Sequence, residues 1–321
     1  MTKLLELLFL RQIKGFGKAK TNKYLDVVRV KDISELQEFL LQQGKVLEEE
    51  LVTARINAEA KYEALRGQSD LKIVTVLDPE YPKGFFDLQN QKPPILYAKG
   101  DISVLNQPGI SVVGTRKPSI WTKKFGENIS KQMGVLTGRI IVSGLALGCD
   151  SFAHKGALAA SVPTVAILPS GVNVITPPSH KGLAQDIVSN GGCVISEYEP
   201  DAAAFRTTFL ERDKLIAAMT EITYVIECDE KSGTMHTVNA AYKLGRLLSC
   251  YYPSEDDIRM GADVRNYQGN RLMIDTMAAK SVSRQEELQA YFEAISALKE
   301  DNKPEKNHQM TIDEFLGTGN N

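Results

Sequence analysis

The sequence predicts an α/β protein: an extended Rossmann-like sheet, parallel or mixed, preceded by a small helical domain. Three observations predict it. Six short and almost wholly apolar runs, ISVVG (110–114), RIIVSG (139–144), TVAILP (164–169), CVISE (193–197), TYVIEC (223–228) and LLSCYY (247–252), punctuate the middle of the chain. Helix-length segments such as SIWTKKFGENISKQMGVL separate most of them. Strands that are apolar throughout and alternate with helices belong to a parallel sheet covered on both faces. Finally, a chain of 321 residues with 43% hydrophobic composition can bury one large core and a smaller one.

Taken in order, residues 1–65 read as a helical domain, because leucines recur at three-to-four spacing and no proline precedes Pro79. Its opening run, MTKLLELLFLRQIKGFG, is interrupted by Glu6 and lacks a small-residue cleavage site, so it reads as an amphipathic helix and not as a signal peptide. Ile13-Lys14-Gly15-Phe16-Gly17-Lys18-Ala19 has the form of a helix-hairpin-helix or SAM-like turn, whose amides could face a DNA phosphate. An ordinary helix-helix turn fits the same residues. Residues 66–282 form the α/β domain, entered through a proline-punctuated, extended stretch that begins near residue 72. Residues 283–321 read as an amphipathic helix, SRQEELQAYFEAISALK, then a polar linker and a short tail.

The bulk numbers exclude several classes. A net charge of −2 and a pI near 6.2 exclude a body that is basic all over, so a nucleic-acid site must be a local patch. Cys149, Cys193, Cys228 and Cys250 lie far apart with no C-x-x-C, which suits reduced, buried side chains and no metal site. No run approaches the roughly 20 apolar residues of a membrane span, and the expected location is cytoplasmic.

Ligands of a parallel α/β sheet bind at the carboxyl ends of its strands. There the first run delivers Gly114, Thr115, Arg116 and Lys117, followed by Lys123 and Lys124 before the first acid, Glu127. The second delivers Ser143 and Gly144, then Asp150 as the cap of a helix carrying His154 within pairing reach. The TYVIEC run is followed by Lys231, Ser232, Gly233 and Thr234, which open a helix with His236. The first turn is neither G-x-G-x-x-G nor a Walker loop, and several such turns side by side suit a threaded polyanion better than one nucleotide. Glu227, Asp229 and Glu230 would repel phosphate unless turned away. Ser143 and Ser232 lie in no G-x-S-x-G and have no evident base. No catalytic constellation, cofactor fingerprint or metal cluster stands out.

The motifs taken in order, among them YPKGFFDLQNQKPPILYAKG, SVVGTRKPS, IVSGLALGCDSFAHKGAL, FLERDKLIAAMT and VIECDEKSGTMHTVNAAYKLGR, resemble the DNA processing protein A (DprA or Smf) family over roughly residues 10–285. The resemblance implies a single-stranded DNA-binding protein without catalytic activity. Such a protein works as a homodimer that protects DNA and helps load a RecA-type recombinase in DNA uptake and recombination. It implies DNA contacts at Gly114, Thr115, Arg116, Ser143, Gly144, Phe209, Arg212 and Lys214, to which the reading of the turns adds Lys117, Ser232, Gly233 and Thr234. An aromatic beside cations suits stacked bases and neutralised phosphates.

There are departures. Leu147 and Cys149 stand where the family usually has arginine and isoleucine, and Arg212-Asp213-Lys214 replaces Arg-Asn-Arg. Residues 283–321 leave no room for the winged-helix domain of many members, so a mobile-element or other recombination role fits as well as natural transformation. A second reading is a phosphoribohydrolase of the Lonely-guy type, a nucleotide N-glycosidase with signature P-G-G-x-G-T-x-x-E. Here Thr237 stands in place of its catalytic glutamate. Finally, Gln309, Ile312 and Phe315 have the spacing of a peptide that docks on a sliding clamp.

Overall fold

The computed structural model describes residues 3–44 and 46–301, so the clamp-like spacing of Gln309, Ile312 and Phe315 lies outside the described residues. Five helices come first: α1 (Leu4–Gln12), α2 (Lys18–Asn22), α3 (Leu25–Val30), α4 (Ile33–Gln42) and α5 (Glu48–Arg66). They are followed by β1 (Lys72–Thr75), β2 (Ile95–Gly100), β3 (Gly109–Val113), α6 (Ile120–Thr137), β4 (Ile140–Ser143) and α7 (Cys149–Ala159). Next come β5 (Thr164–Ile167), α8 (Lys181–Ser189), β6 (Cys193–Ser196), α9 (Arg206–Met219), β7 (Ile222–Val225) and α10 (Thr234–Lys243). The chain continues through β8 (Leu247–Cys250), α11 (Glu255–Arg259), α12 (Gln268–Met277), β9 (Lys280–Ser281) and α13 (Gln285–Asp301). Among the described residues no helix is long and apolar enough to cross a membrane.

Each of the six apolar runs is a strand. They form the parallel part of one nine-stranded sheet with order β1-β2-β6-β5-β4-β3-β7-β8-β9. β1 and β2 add an antiparallel edge, with Ile73 opposite Tyr97 and Ala98 opposite Ile195. The sheet grows from β3 outward through β4, β5 and β6, then crosses back to place β7 on the other side of β3. Successive connections therefore leave in opposite directions at β3 and β7, which opens a crevice at their carboxyl ends.

Two apolar layers sandwich the sheet. Along β3, Ile110 and Val112 pack into one core with Ile129 and Met133 of α6, Ala153 of α7 and Leu288 of α13. Val113 points to the opposite core, which is shared with Leu215 of α9, Val238 of α10 and the leucines of α1. This alternation is the two-residue period of a strand, with both faces covered. The N-terminal helices join that second core directly, through Leu7, Phe9, Leu51 and Ala58.

At the hairpin, Gly15 takes φ +77°, as a tight turn requires, but the Lys14 amide and the Lys18 ammonium are engaged within the protein. The Lys14 amide donates to the Glu50 carboxylate at 3.1 Å. Lys18 pairs with Glu197 at 2.8 Å and with Glu211 at 2.9 Å. The turn thus joins two helices and ties them to β6 and α9.

His154 is fully buried, and it does not pair with Asp150. Its Nδ1 lies 2.8 Å from the Thr164 hydroxyl, which donates onward to the Ile141 carbonyl at 2.6 Å. The imidazole must therefore donate through Nδ1–H. Burial, reinforced by His180 and Arg212, pulls its pKa from 6.5 to about 3. The unfolded chain takes up this proton as pH falls through 6.5 while the folded chain does not, so stability is present at neutral pH and lost on acidification. We expect His154→Gln to flatten the fall of stability between about pH 6.5 and pH 4 by roughly 3 kcal/mol relative to the parent, read from denaturant melts. An unchanged slope would remove His154 from that account.

Candidate nucleic-acid interface

The crevice at the carboxyl ends of β3 and β7 is a cleft of about 610 Å³. Three segments wall it: the Gly114–Lys117 turn, one face of α9, and the turn that opens α10 at Ser232–Thr234. Arg116, Lys117 and Arg206 bring exposed positive charge to its mouth, while Asp150 lies at its floor.

The first turn is held by Glu227, the residue that threatened to repel an anion. Its carbonyl accepts from the Thr115 amide at 2.7 Å. Its buried carboxylate accepts from the Ser119 amide at 3.0 Å and the Ser119 hydroxyl at 2.7 Å. Ser119 in turn caps α6, accepting from the Thr122 amide at 3.2 Å. The Lys117 amide is taken by the Thr115 hydroxyl at 3.1 Å. In the second turn, the Ser232 amide donates to Asp229 and the Thr234 amide to the Ser232 hydroxyl. Both turns are largely closed on themselves. The cleft therefore presents cationic side chains more than a cradle of free amides.

α9 is fixed by Arg212. Its guanidinium is buried, donating from Nη1 to the carbonyls of Gly144 at 2.5 Å and Ile167 at 3.1 Å, and from Nε to Asp213 at 3.0 Å. A side chain at Gly144 would overlap that guanidinium and crowd the Asp150 carboxylate. Asp150 accepts from the Ala146 amide at 3.3 Å. Burial pushes its carboxyl above the usual range, against the pull of Arg212 and Arg116. Asp213 is raised by burial too, with Asp150 adding to the shift and Arg212 opposing it.

The sequence expectations sort accordingly. Gly114, Thr115, Arg116, Lys117, Phe209, Arg212, Ser232, Gly233 and Thr234 all line one cleft. Ser143 does not reach it: its hydroxyl is buried and donates to the Val112 carbonyl at 2.7 Å. Gly144 is likewise buried, and its carbonyl belongs to Arg212. Lys214 points off the cleft face of α9 and pairs with Glu211 at 2.7 Å. Asp150 does not cap α7; Gly148 does, at φ +77°, where a side chain would overlap the Thr115 carbonyl. All four cysteines are free and buried.

Sequence reasoning missed Arg206 and Asn270. Arg206, Phe209 and Asp213 share one helix face at i, i+3 and i+7, so helical period would have found Arg206 and rejected Lys214. Asn270 is buried, accepts from the Cys228 amide at 2.8 Å and donates to the Tyr251 carbonyl at 2.8 Å, pinning the end of β7 beside the cleft.

Comparison with known proteins places the family and the fold. A family model described as DNA recombination-mediator protein A matches residues 72–293. The chain is 33% identical over 187 residues to Protein Smf of Synechocystis, covering 56% of this chain and 45% of that protein. It spans about half the length of the curated relatives it matches. The X-ray structure of DNA processing protein A from Streptococcus pneumoniae superposes with a TM-score of 0.72 at 24% identity, over 90% of this chain and 98% of that one. That likeness establishes the fold. The Helicobacter pylori DNA processing protein A, whose structure is described by its single-stranded DNA binding mode, superposes with a TM-score of 0.58 at 26% identity, over 72% and 97% of the two chains.

The packing of Arg212 yields a paired prediction. Gly144→Ala should displace the guanidinium and lower stability by roughly 3 kcal/mol in a denaturant melt. Gly233→Ala, where a methyl group meets nothing, should change it by less than about 1 kcal/mol. Equal effects at the two glycines would contradict the role given to Arg212.

Proposed function

The chain belongs to the DNA recombination-mediator protein A family, and from that premise we propose that it binds single-stranded DNA along this cleft without catalysing a reaction on it. One contact carries the reading. The Arg116 guanidinium lies over the Phe209 ring, 4.9 Å from its centroid, at the mouth of the cleft. A cation and an aromatic held together on an open, positively charged wall suit a strand whose phosphates are neutralised and whose bases stack. Arg206 and Lys117 extend the charge along the strand path, and Arg212 holds the helix that carries Phe209.

In this reading the protein works inside the cell as a homodimer that shields the strand and delivers it to a RecA-type recombinase. The family resemblance supports those assignments. Against hydrolysis of nucleotides stands Thr237, a buried hydroxyl on the cleft wall where the related hydrolases place a carboxylate.

Mobility shifts with single- and double-stranded oligonucleotides over a salt series test the proposal. Single strands should bind more tightly and with a steep salt dependence. Arg116→Ala should weaken binding of every sequence and reduce the salt slope by about 0.7, the value of one phosphate contact on a single strand. Phe209→Ala should cost about 1–3 kcal/mol of affinity with the slope nearly unchanged. Unchanged binding in both variants would reject this cleft as the DNA site.

A further inference from the structure

Two acids line the cleft, the buried Asp150 at its floor and the partly exposed Asp213 on α9, while its mouth is edged by exposed cations. Oδ1 of Asp213 is engaged by the Arg212 Nε at 3.0 Å, and its Oδ2 accepts no hydrogen bond from the described residues. The side chain is 14% exposed and lines the cleft. Asp213 lies one helical turn beyond Phe209 on the same face of α9, about 6 Å along the helix surface. With the exposed Arg116 side chain drawn from the ring to a phosphate, a base stacked on Phe209 lies on the face of α9 that also carries Asp213. Arg212 is held in this position, because its Nη1 donates to two main-chain carbonyls.

Building on the proposed single-stranded DNA reading, we propose that Asp213 reads the edge of the base stacked at Phe209. It favours bases that offer an exocyclic amino group and disfavours thymine. A carboxylate oxygen only accepts. Cytosine, adenine and guanine each present an N–H₂ group on the Watson–Crick edge, which single-stranded DNA leaves open. Thymine instead offers its N3–H flanked by two carbonyl oxygens, which the carboxylate repels. The pocket would thus impose a composition preference on a protein whose remaining contacts are to phosphates and ring faces, which carry no sequence information.

The test compares oligo-dC with oligo-dT of equal length, at slightly alkaline pH where cytosine is neutral, for the parent chain and for Asp213→Asn. The parent should bind oligo-dC about fivefold or more tightly than oligo-dT. Asp213→Asn keeps an acceptor for Arg212 and adds a donor for the thymine O4, so the ratio should fall below about twofold with the salt slope unchanged. Equal affinity of the parent for the two oligomers overturns the proposal without any need for the variant. A preference that survives in Asp213→Asn overturns it as well, as does a variant that strengthens both oligomers equally, because the carboxylate is then only a charge. Failure of the parent to bind either oligomer would reject the DNA reading itself, an outcome distinct from binding without preference.

Discussion

The buried guanidinium of Arg212 is the constraint on which the cleft depends. It spans from α9 to the carboxyl ends of β4 and β5, where the Gly144 and Ile167 carbonyls have no further ladder partner. Removing a charged group from water costs several kcal/mol unless its donors are met, so such a residue holds one geometry or none. Asp213 and Asp150 supply the compensating charge, and the absence of a side chain at Gly144 supplies the room. With α9 fixed in this way, Phe209 and Arg206 face the crevice while Glu211 reaches Lys18 of α2 and pairs with Lys214.

The opposite wall follows the same economy. Glu227 ends the strand at the switch point and uses both its main-chain and side-chain oxygens to close the turn at Thr115 and the cap at Ser119. The Glu227 charge is met by the Ser119 amide and hydroxyl behind the turn, and the residue does not line the cleft. Leu145 holds φ +57° in the next loop, a conformation that costs a non-glycine residue about 1 kcal/mol, with its carbonyl accepting from His180 Nδ1 at 2.8 Å. Loops of fixed shape on both sides leave the exposed Arg116, Lys117 and Arg206 side chains as the adaptable elements of the surface.

The departures from the family pattern acquire different meanings once placed in space. Leu147 is half-exposed beside the cleft-forming loop, and no cation replaces the arginine expected there. Cys149 packs buried against Gly114, where a methyl group would meet its sulfur at 2.7 Å, so the first turn and α7 approach closely. Asp213 completes the shell of Arg212 and lines the cleft.

The strands were legible because a parallel sheet buried on both faces leaves a continuous apolar run, and all six runs are strands. β1 and β2 were less visible, being separated by prolines and a short helical stretch at Lys83–Gln91, and the pairing of β2 with β6 is a long-range event. At the site, the turns after β3 and β7 could be read from glycine and cation placement, because local backbone geometry demands those residues. By itself, then, the sequence determined the sheet, the family and the positions where an anion could meet strand ends. Only the tertiary structure decided which groups remain available there. In one dimension Arg212, Ser143 and Gly144 look like site residues and Glu227 like an obstacle to one. In three they are spent on each other and on the main chain, because a buried polar group must find its partner inside the protein before anything is left for a ligand.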